Sequence, residues 1–402
     1  MKIAMVSEHA SPLAPLGGTD AGGQNVHVAA LSATLAQRGH EVIVYTRHDG
    51  THSERTIHTD DGYRVVHVPA GPPRPIPKDE ILPHLGEFAA FLRDDWAREH
   101  PDVVHAHFWM SGMAAELAAH GTGIPVLVTF HALGTVKHRY QGRADTSPPA
   151  RIRIERLVAS RAARVIATCS DEVGELTKMG VPPHHVSVVP CGVDLDLFTP
   201  DGPAAERGAP HRILSVGRMV PRKGYDLAIA ALRELPGTEL VIAGGADDKG
   251  KTHAEARRLR GCAQRIGVGD RVHLLGSVEH TAMPELIRSA DVVACTPWYE
   301  PFGIVPLEAM GCARPVVATA VGGMLDTVVD GVTGALVPPN SPEALAAAIR
   351  PLLDNPHLAA ARGAAGRRRA ENSYSWERVG TRTLTAYRKV SARRVDRAAM
   401  SA

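Results

Sequence analysis

Arg218 and Lys223 stand five residues apart in "RMVPRKG", just after the apolar run "ILSV". So short a loop can aim a guanidinium fork and an ammonium at one point, the arrangement a diphosphate needs. Further along, "TPWYEPFGIVPLEAMGC" carries Glu300 and Glu308 at the exit of the buried run "ADVVACTP". A carboxylate in that place needs a partner or water. Pro306 suits the first helical position, where a missing N–H costs nothing, so a short helix is expected from near Val305 to about Gly311. Its start would turn the amides of Gly303, Ile304 and Val305 toward an anion. Glu308 alone could serve the helix dipole, but Glu300, in the loop before it, has no such use. Two carboxylates beside an anion-binding turn suit a ligand that joins phosphates to sugar hydroxyls.

Two further stretches could hold ligand. Gly22 and Gly23 come immediately before a helix expected from near Gln24, which presents bare amides and the positive end of that helix. The spacing is not GxGxxG, and the loop from Glu8 to Ala21 is too long for a dinucleotide fingerprint. His131 closes the run "PVLVTF", a strand end that would face a ligand. His105 and His107, in "DVVHAH", are expected on opposite faces of their strand and so unable to share a metal easily.

The elements that must position these residues form a rhythm. "IAMVS", "EVIVYT", "DVVHAH", "PVLVTF", "RVIATC" and "VSVVP" are near-continuous apolar runs of the kind found in parallel strands covered on both faces. Amphipathic stretches separate several of them; "GGQNVHVAALSATLAQRGH" carries Gly39 as a helix stop. The Pro-, Gly- and Asp-rich "VPCGVDLDLFTPDGPAAERGAPHR" then breaks the pattern, and "RILSVG", "ELVIAG", "RVHLLG", "DVVACTP", "PVVATA" and "GALVP" resume it. The expected architecture is two doubly wound, Rossmann-like α/β domains facing across a cleft, residues 1–198 and 199–374. An amphipathic tail helix over 375–402, with a bulky Trp376, is expected to pack back on the first domain. Ligands in such sheets sit at the carboxyl ends of the strands, where all the residues above fall.

Composition excludes other classes. A 402-residue chain that is 44% hydrophobic can bury more than one core. A net charge of +2 gives no bulk attraction to nucleic acid or to an anionic membrane. The chain begins without an apolar leader and contains no 18-residue apolar span, so a cytoplasmic protein without integral membrane contact is expected. Its 5 cysteines are scattered without CxxC spacing, unlike a disulfide framework or zinc site.

Taken together, "GGQNVHV", "RMVPRKG" and "EPFGIVPLEAMGCARPVVATAVGG" strongly resemble the retaining glycosyltransferases of family 4, which have the GT-B fold. The resemblance spans nearly the whole chain. It is nearest the branch that contains the sucrose-phosphate synthases and the inositol-3-phosphate glycosyltransferases, on "SPLAPLGGTDAGGQNVHV", "DVVHAHFWMSG" and "VPAGPPRPIPKDEI". It implies that Arg218 and Lys223 bind the donor diphosphate, Glu308 the ribose, and Glu300 the donor sugar with the Gly303, Ile304 and Val305 amides. His131 would stand beside the donor sugar, and Gly22 and Gly23 against the donor phosphates and the acceptor. Asn25, Lys78 and Arg151 match acceptor contacts. Phe108 and Ala132 depart from the pattern: they occupy the places of a tyrosine and a threonine whose hydroxyls help bind inositol phosphate. Each lost hydrogen bond could weaken such an acceptor by roughly 1–3 kcal/mol.

The expected activity is therefore retaining, metal-independent transfer of a hexose-type sugar from a UDP- or GDP-linked donor to a small polar acceptor. The nucleotide sugar is a co-substrate, and no further cofactor is expected. The two departures favour a secondary-metabolite intermediate as acceptor; inositol 3-phosphate with N-acetylglucosamine is the alternative. A GT-B nucleotide-sugar epimerase is the rival of another class. A homodimer is left open.

Overall fold

Alternation along the apolar runs decides the layers. The computed structural model describes residues 1–14, 22–245 and 251–400, apart from the side chains of 251–253 and 392–400. Residues 15–21, within the "SPLAPLGGTDAGG" resemblance, lie outside the described residues. The first sheet contains β1 (Lys2–Val6), β2 (Glu41–Arg47), β3 (Thr56–His58), β4 (Arg64–Val68), β5 (Val103–His107), β6 (Val126–Thr129), β7 (Arg164–Ala167) and β8 (Val186–Val188). Their order is β3-β4-β2-β1-β5-β6-β7-β8, parallel throughout except for β3 against β4. The hairpin of β3 and β4 adds two strands to those expected; β3 is only 3 residues long and half exposed, too short to leave a periodic signal.

The second sheet contains β9 (His211–Val216), β10 (Thr238–Ala243), β11 (Val272–Gly276), β12 (Val292–Cys295), β13 (Val316–Thr319) and β14 (Gly334–Val337). The order is β11-β10-β9-β12-β13-β14, all parallel. Successive residues feed different cores. Ile213, Ile242 and Ala294 join one apolar cluster, while Leu214, Val241 and Val293 join another. Side chains alternate across a strand, so the sheet is covered on both faces and the near-continuous apolar runs follow.

The chain divides into two compact units between Pro190 and Cys191, earlier than the expected boundary at 198. The physical reason is burial: Val193 and Phe198 are 3% and 1% exposed in the core of the second unit. Val193 also bridges Ser375, and a Cβ on Gly192 would lie 2.5 Å from the Trp376 indole. Trp376 thus anchors the start of the final helix, Trp376–Met400, in the second unit, whereas residues from Val379 onward belong to the first. There the Tyr387 hydroxyl meets His105 Nδ1 at 2.8 Å.

Candidate active site

In the second unit, the loop after β9 and the loop after β12 converge. The chain leaves β9 through Gly217 and turns through Pro221–Lys223 into Gly224. Gly224 has φ 63°, and a Cβ there would lie 2.1 Å from the Thr296 carbonyl oxygen, so only glycine lets this loop close onto the end of β12. That closure brings Lys223 Nζ to 2.6 Å from Glu300 Oε2. The Arg222 guanidinium lies 4.0 Å from the same oxygen and 5.4 Å from the centre of the Tyr299 ring. Glu300 therefore has its partner: burial raises its pKa, but Lys223 and Arg222 outweigh burial and hold the carboxyl below its ordinary range. Arg218 is exposed at the start of the same loop.

A third loop fixes Glu300 from behind. The Gly323 N–H donates to the Glu300 carbonyl at 2.7 Å. Gly322 has φ 49°, and a Cβ on it would stand 2.3 Å from that carbonyl. The helix that follows spans Ile304–Gly311 with Gly303 as its N-cap. It begins one residue before the expected Val305, which makes Pro306 its third residue. That place is still inside the turn whose N–H groups have no partner within the helix. Glu308, buried one turn further on, has His280 Nε2 3.5 Å from its Oε1. The hydrogen bond and charge of Glu308 raise the His280 pKa.

In the first unit, the helix Gly23–Gln37 begins with a closed cap. The Gly22 N–H donates to Asn25 Oδ1 at 3.0 Å, and Asn25 Nδ2 donates to the Ser11 carbonyl at 2.8 Å. Asn25 thus spends both ends of its amide on the chain. Gly22 is extended, and a Cβ on it would meet nothing within 4 Å, so packing does not demand glycine there.

The neighbouring strands β5 and β6 both end in left-handed residues that are not glycine, Phe108 with φ 87° and His131 with φ 61°. Each such residue costs of order 1–3 kcal/mol and persists only when its surroundings hold it. Phe108 is held by its N–H to the Thr129 carbonyl at 2.8 Å and by its own carbonyl to the Gly112 N–H at 2.9 Å. Its ring lies 5.1 Å beneath the Arg151 guanidinium and 4.8 Å from the His9 ring.

Arg151 is buried and bound within the chain. Its Nε meets Glu155 at 2.7 Å, one terminal nitrogen donates to Ser147 Oγ at 3.1 Å, and the other donates to the Ala132 carbonyl at 2.6 Å. Lys78 opens a short turn, Lys78–Glu80, and is half buried.

The expectation that His105 and His107 point apart is corrected. Residues two apart on a strand share a face, and the two ring centres are 4.2 Å apart. His107 Nδ1 lies 2.9 Å from His131 Nε2, and His27 packs 5.3 Å from the His131 ring. All four imidazoles are buried, and burial lowers every pKa: to about 4 at His27, about 3 at His105, and well below the ordinary value at His107 and His131. The cluster is neutral at pH 7.

Sequence reasoning missed four participants. Arg222 was visible inside "RMVPRKG", and Glu155 lies one helical turn after Arg151, a spacing that pairs opposite charges. His27 and His280 carry no local signal; only the fold brings them to His131 and Glu308.

Two doubly wound parallel sheets, with cation–carboxylate loops at strand ends, define a GT-B protein. Residues 21–197 match the family described as Glycosyltransferase Family 4, and residues 203–369 match Glycosyl transferases group 1. The chain is 38% identical to a D-inositol 3-phosphate glycosyltransferase of Kineococcus radiotolerans, over 99% of this chain and 98% of that protein. It is 35% identical to the protein of the same description from Mycobacterium tuberculosis, over 96% and 83%. Among solved structures, sucrose-phosphate synthase from Thermosynechococcus elongatus superposes with a TM-score of 0.88 at 32% identity, over 98% and 99% of the two chains. HepE of Anabaena, solved with UDP-glucose, shares the fold at a TM-score of 0.73 and 20% identity, over 98% and 100%. The chain belongs to glycosyltransferase family 4 and is a GT-B glycosyltransferase. No helix among the described residues is long and apolar enough to cross a membrane.

Proposed function

We propose that the protein moves a hexose-type sugar from a UDP- or GDP-linked donor to a small polar acceptor, with retention of configuration and without a metal. The observation that carries this reading is the convergence of Lys223 and Arg222 on Glu300 just before the helix Ile304–Gly311. Lys223 and Arg218 neutralise the leaving diphosphate, with the amides of Gly303, Ile304 and Val305, in an arrangement fixed before reaction. Glu300 accepts hydrogen bonds from the sugar, and Glu308, steadied by His280, accepts them from the ribose. His131 stands beside the donor sugar, and Gly22 and Gly23 lie against phosphate and acceptor. The acceptor oxygen attacks on the face from which the phosphate leaves. The departing phosphate oxygen takes the acceptor's proton, the bond to the sugar carbon passing from one oxygen to the other.

The acceptor we propose has a less hydroxylated edge than inositol phosphate, as in a secondary-metabolite intermediate. Phe108 offers a ring in place of a hydroxyl, Ala132 offers none, and the fork of Arg151 is already taken by Glu155, Ser147 and the Ala132 carbonyl. Inositol 3-phosphate is the second reading, favoured by 38% identity over 99% of the chain to a relative of that description, and by the acceptor contacts that the family resemblance implies for Lys78 and Asn25. Assaying UDP-N-acetylglucosamine with inositol 3-phosphate separates the two. Efficient turnover establishes the second reading. Inactivity that Phe108→Tyr with Ala132→Thr partly reverses supports the first. Free nucleotide released only when an acceptor is added supports transfer, whereas an epimeric nucleotide sugar formed without any acceptor would count for an epimerase.

A further inference from the structure

We infer that Arg222 is a positioning residue that takes over Glu300 when a donor diphosphate draws Lys223 away. The inference rests on the proposed donor site at this loop.

Two cations compete for one oxygen. Glu300 Oε2 has Lys223 Nζ at 2.6 Å and Arg222 Nη1 at 4.0 Å. The first is a hydrogen bond; the second is too long for one. Arg222 Nη1 is buried and has no hydrogen-bond partner among the described residues. A buried donor without an acceptor is costly, so its place calls for a reason. It stands beside a carboxylate that another cation already occupies. A side-chain shift of about 1 Å closes it onto Glu300 once Lys223 has left.

The two cations are mounted differently. The Lys223 stem runs against the end of β9, where a Cβ on Gly217 would lie 3.1 Å from Lys223 Cε. Arg218, the other proposed phosphate ligand, follows Gly217 directly. Lys223 therefore lies between Glu300 and the side from which a diphosphate pulls. Arg222 is fastened instead to the loop that carries Glu300. Its carbonyl accepts the Trp298 N–H at 2.8 Å, and its guanidinium lies 5.4 Å from the centre of the Tyr299 ring.

A replacement is needed because Glu300 is only 8% exposed. Burial raises its pKa, and Lys223, then Arg222, more than offset that; the Phe302 N–H helps. The other titratable groups facing it, Tyr225 and Cys295, are kept protonated by burial and bring no charge at neutral pH. An ammonium has three N–H donors but one charge, so Lys223 cannot neutralise phosphate and carboxylate together. With Lys223 on the phosphate and no Arg222, Glu300 would take up a proton and lose acceptor capacity toward the sugar.

The test is titration calorimetry of the whole protein with UDP and with GDP. It compares wild type, Arg222→Met, Arg222→Lys, Glu300→Gln and Arg222→Met with Glu300→Gln. Arg222→Met should weaken the nucleotide that wild type binds on the order of 10²-fold. Its binding should also take up a proton that wild-type binding does not, read from heats in buffers of different ionisation enthalpy. Arg222→Lys should recover most of the affinity and abolish the uptake. With Glu300→Gln there is no carboxylate to hold, so Arg222→Met should cost nothing further. An equal loss in that background would make Arg222 a direct phosphate ligand and overturn the inference. Wild-type affinity without proton uptake in folded Arg222→Met would overturn it too. If Arg222→Met fails to fold, Arg222→Gln carries the same comparison. Binding of neither nucleotide by wild type would overturn the proposed donor site itself, and the inference with it.

Discussion

The loops at the end of β9 and β12 and the ends of β5 and β6 solve the same problem by opposite means. In the second unit, opposite charges face one another: Lys223 and Arg222 hold Glu300, and His280 steadies Glu308. In the first unit, neutral imidazoles are packed out of water, and the strong charge of Arg151 is consumed by Glu155. A paired charge can exchange its partner for a ligand of the same sign. A buried neutral cluster can only orient what it touches. On the proposed reading, the electrostatic share of the chemistry belongs to the second unit and the directional share to the first.

The largest expected effect comes from removing the central charge. Lys223→Ala strips Glu300, and on the proposed reading the diphosphate too, of an ammonium, and turnover should fall on the order of 10²–10³-fold. The abandoned carboxylate should also destabilise the second unit by about 3 kcal/mol. Arg218→Ala, on the exposed side of the same loop, should lower turnover comparably with little loss of thermal stability. Near-normal turnover in folded Lys223→Ala would end the comparison.

Acid acts with opposite sign on histidines of the two units. His27 and His105 have pKa values of about 4 and 3 in the fold, below the ordinary value of about 6.5 for an unfolded chain. Their contribution is complete above that value. It is lost as pH falls toward 4, because the unfolded chain takes protons that the folded one refuses. His27 alone accounts for a loss on the order of 3 kcal/mol. His280 has the opposite sign: its pKa is raised, so its stabilisation is present below the ordinary value and fades as pH rises. Glu116 and Glu172 in the same unit as His27, whose carboxyls burial pushes up to about 7, gain stability over the same range. Calorimetry from pH 7.5 to 5 should therefore compare wild type with His27→Asn, and the variant should lose less on acidification. Parallel decline of wild type and variant would contradict the contrast.

What was legible in the sequence follows the same division. Charges on loops next to apolar runs, as at Arg218, Lys223, Glu300 and Glu308, announce themselves because burial of a charge demands a reason. Parallel strands announce themselves because both faces are apolar. Contacts made only by folding do not: Lys223 meets Glu300 across 77 positions of sequence, and His105 meets Tyr387 across 282. The placement of His105 and His107 on one face was available from strand periodicity alone. The left-handed backbone at Phe108 was not, because a bulky aromatic residue rarely adopts it, and His131, of a type that tolerates it, carries no local signal that demands it.

Nucleotide binding at the loops after β9 and β12 is the most direct test of the proposed charge cradle. Thermal denaturation of the wild type and Lys223→Ala should be measured with UDP and with GDP at rising concentration. One of the two nucleotides is expected to stabilise the wild type by about 2.7 kcal/mol at 100 times its dissociation constant. The same concentration should give Lys223→Ala little added stability. An equal shift in the variant, or no shift in the wild type with either nucleotide, would contradict the charge cradle at Lys223 and Glu300.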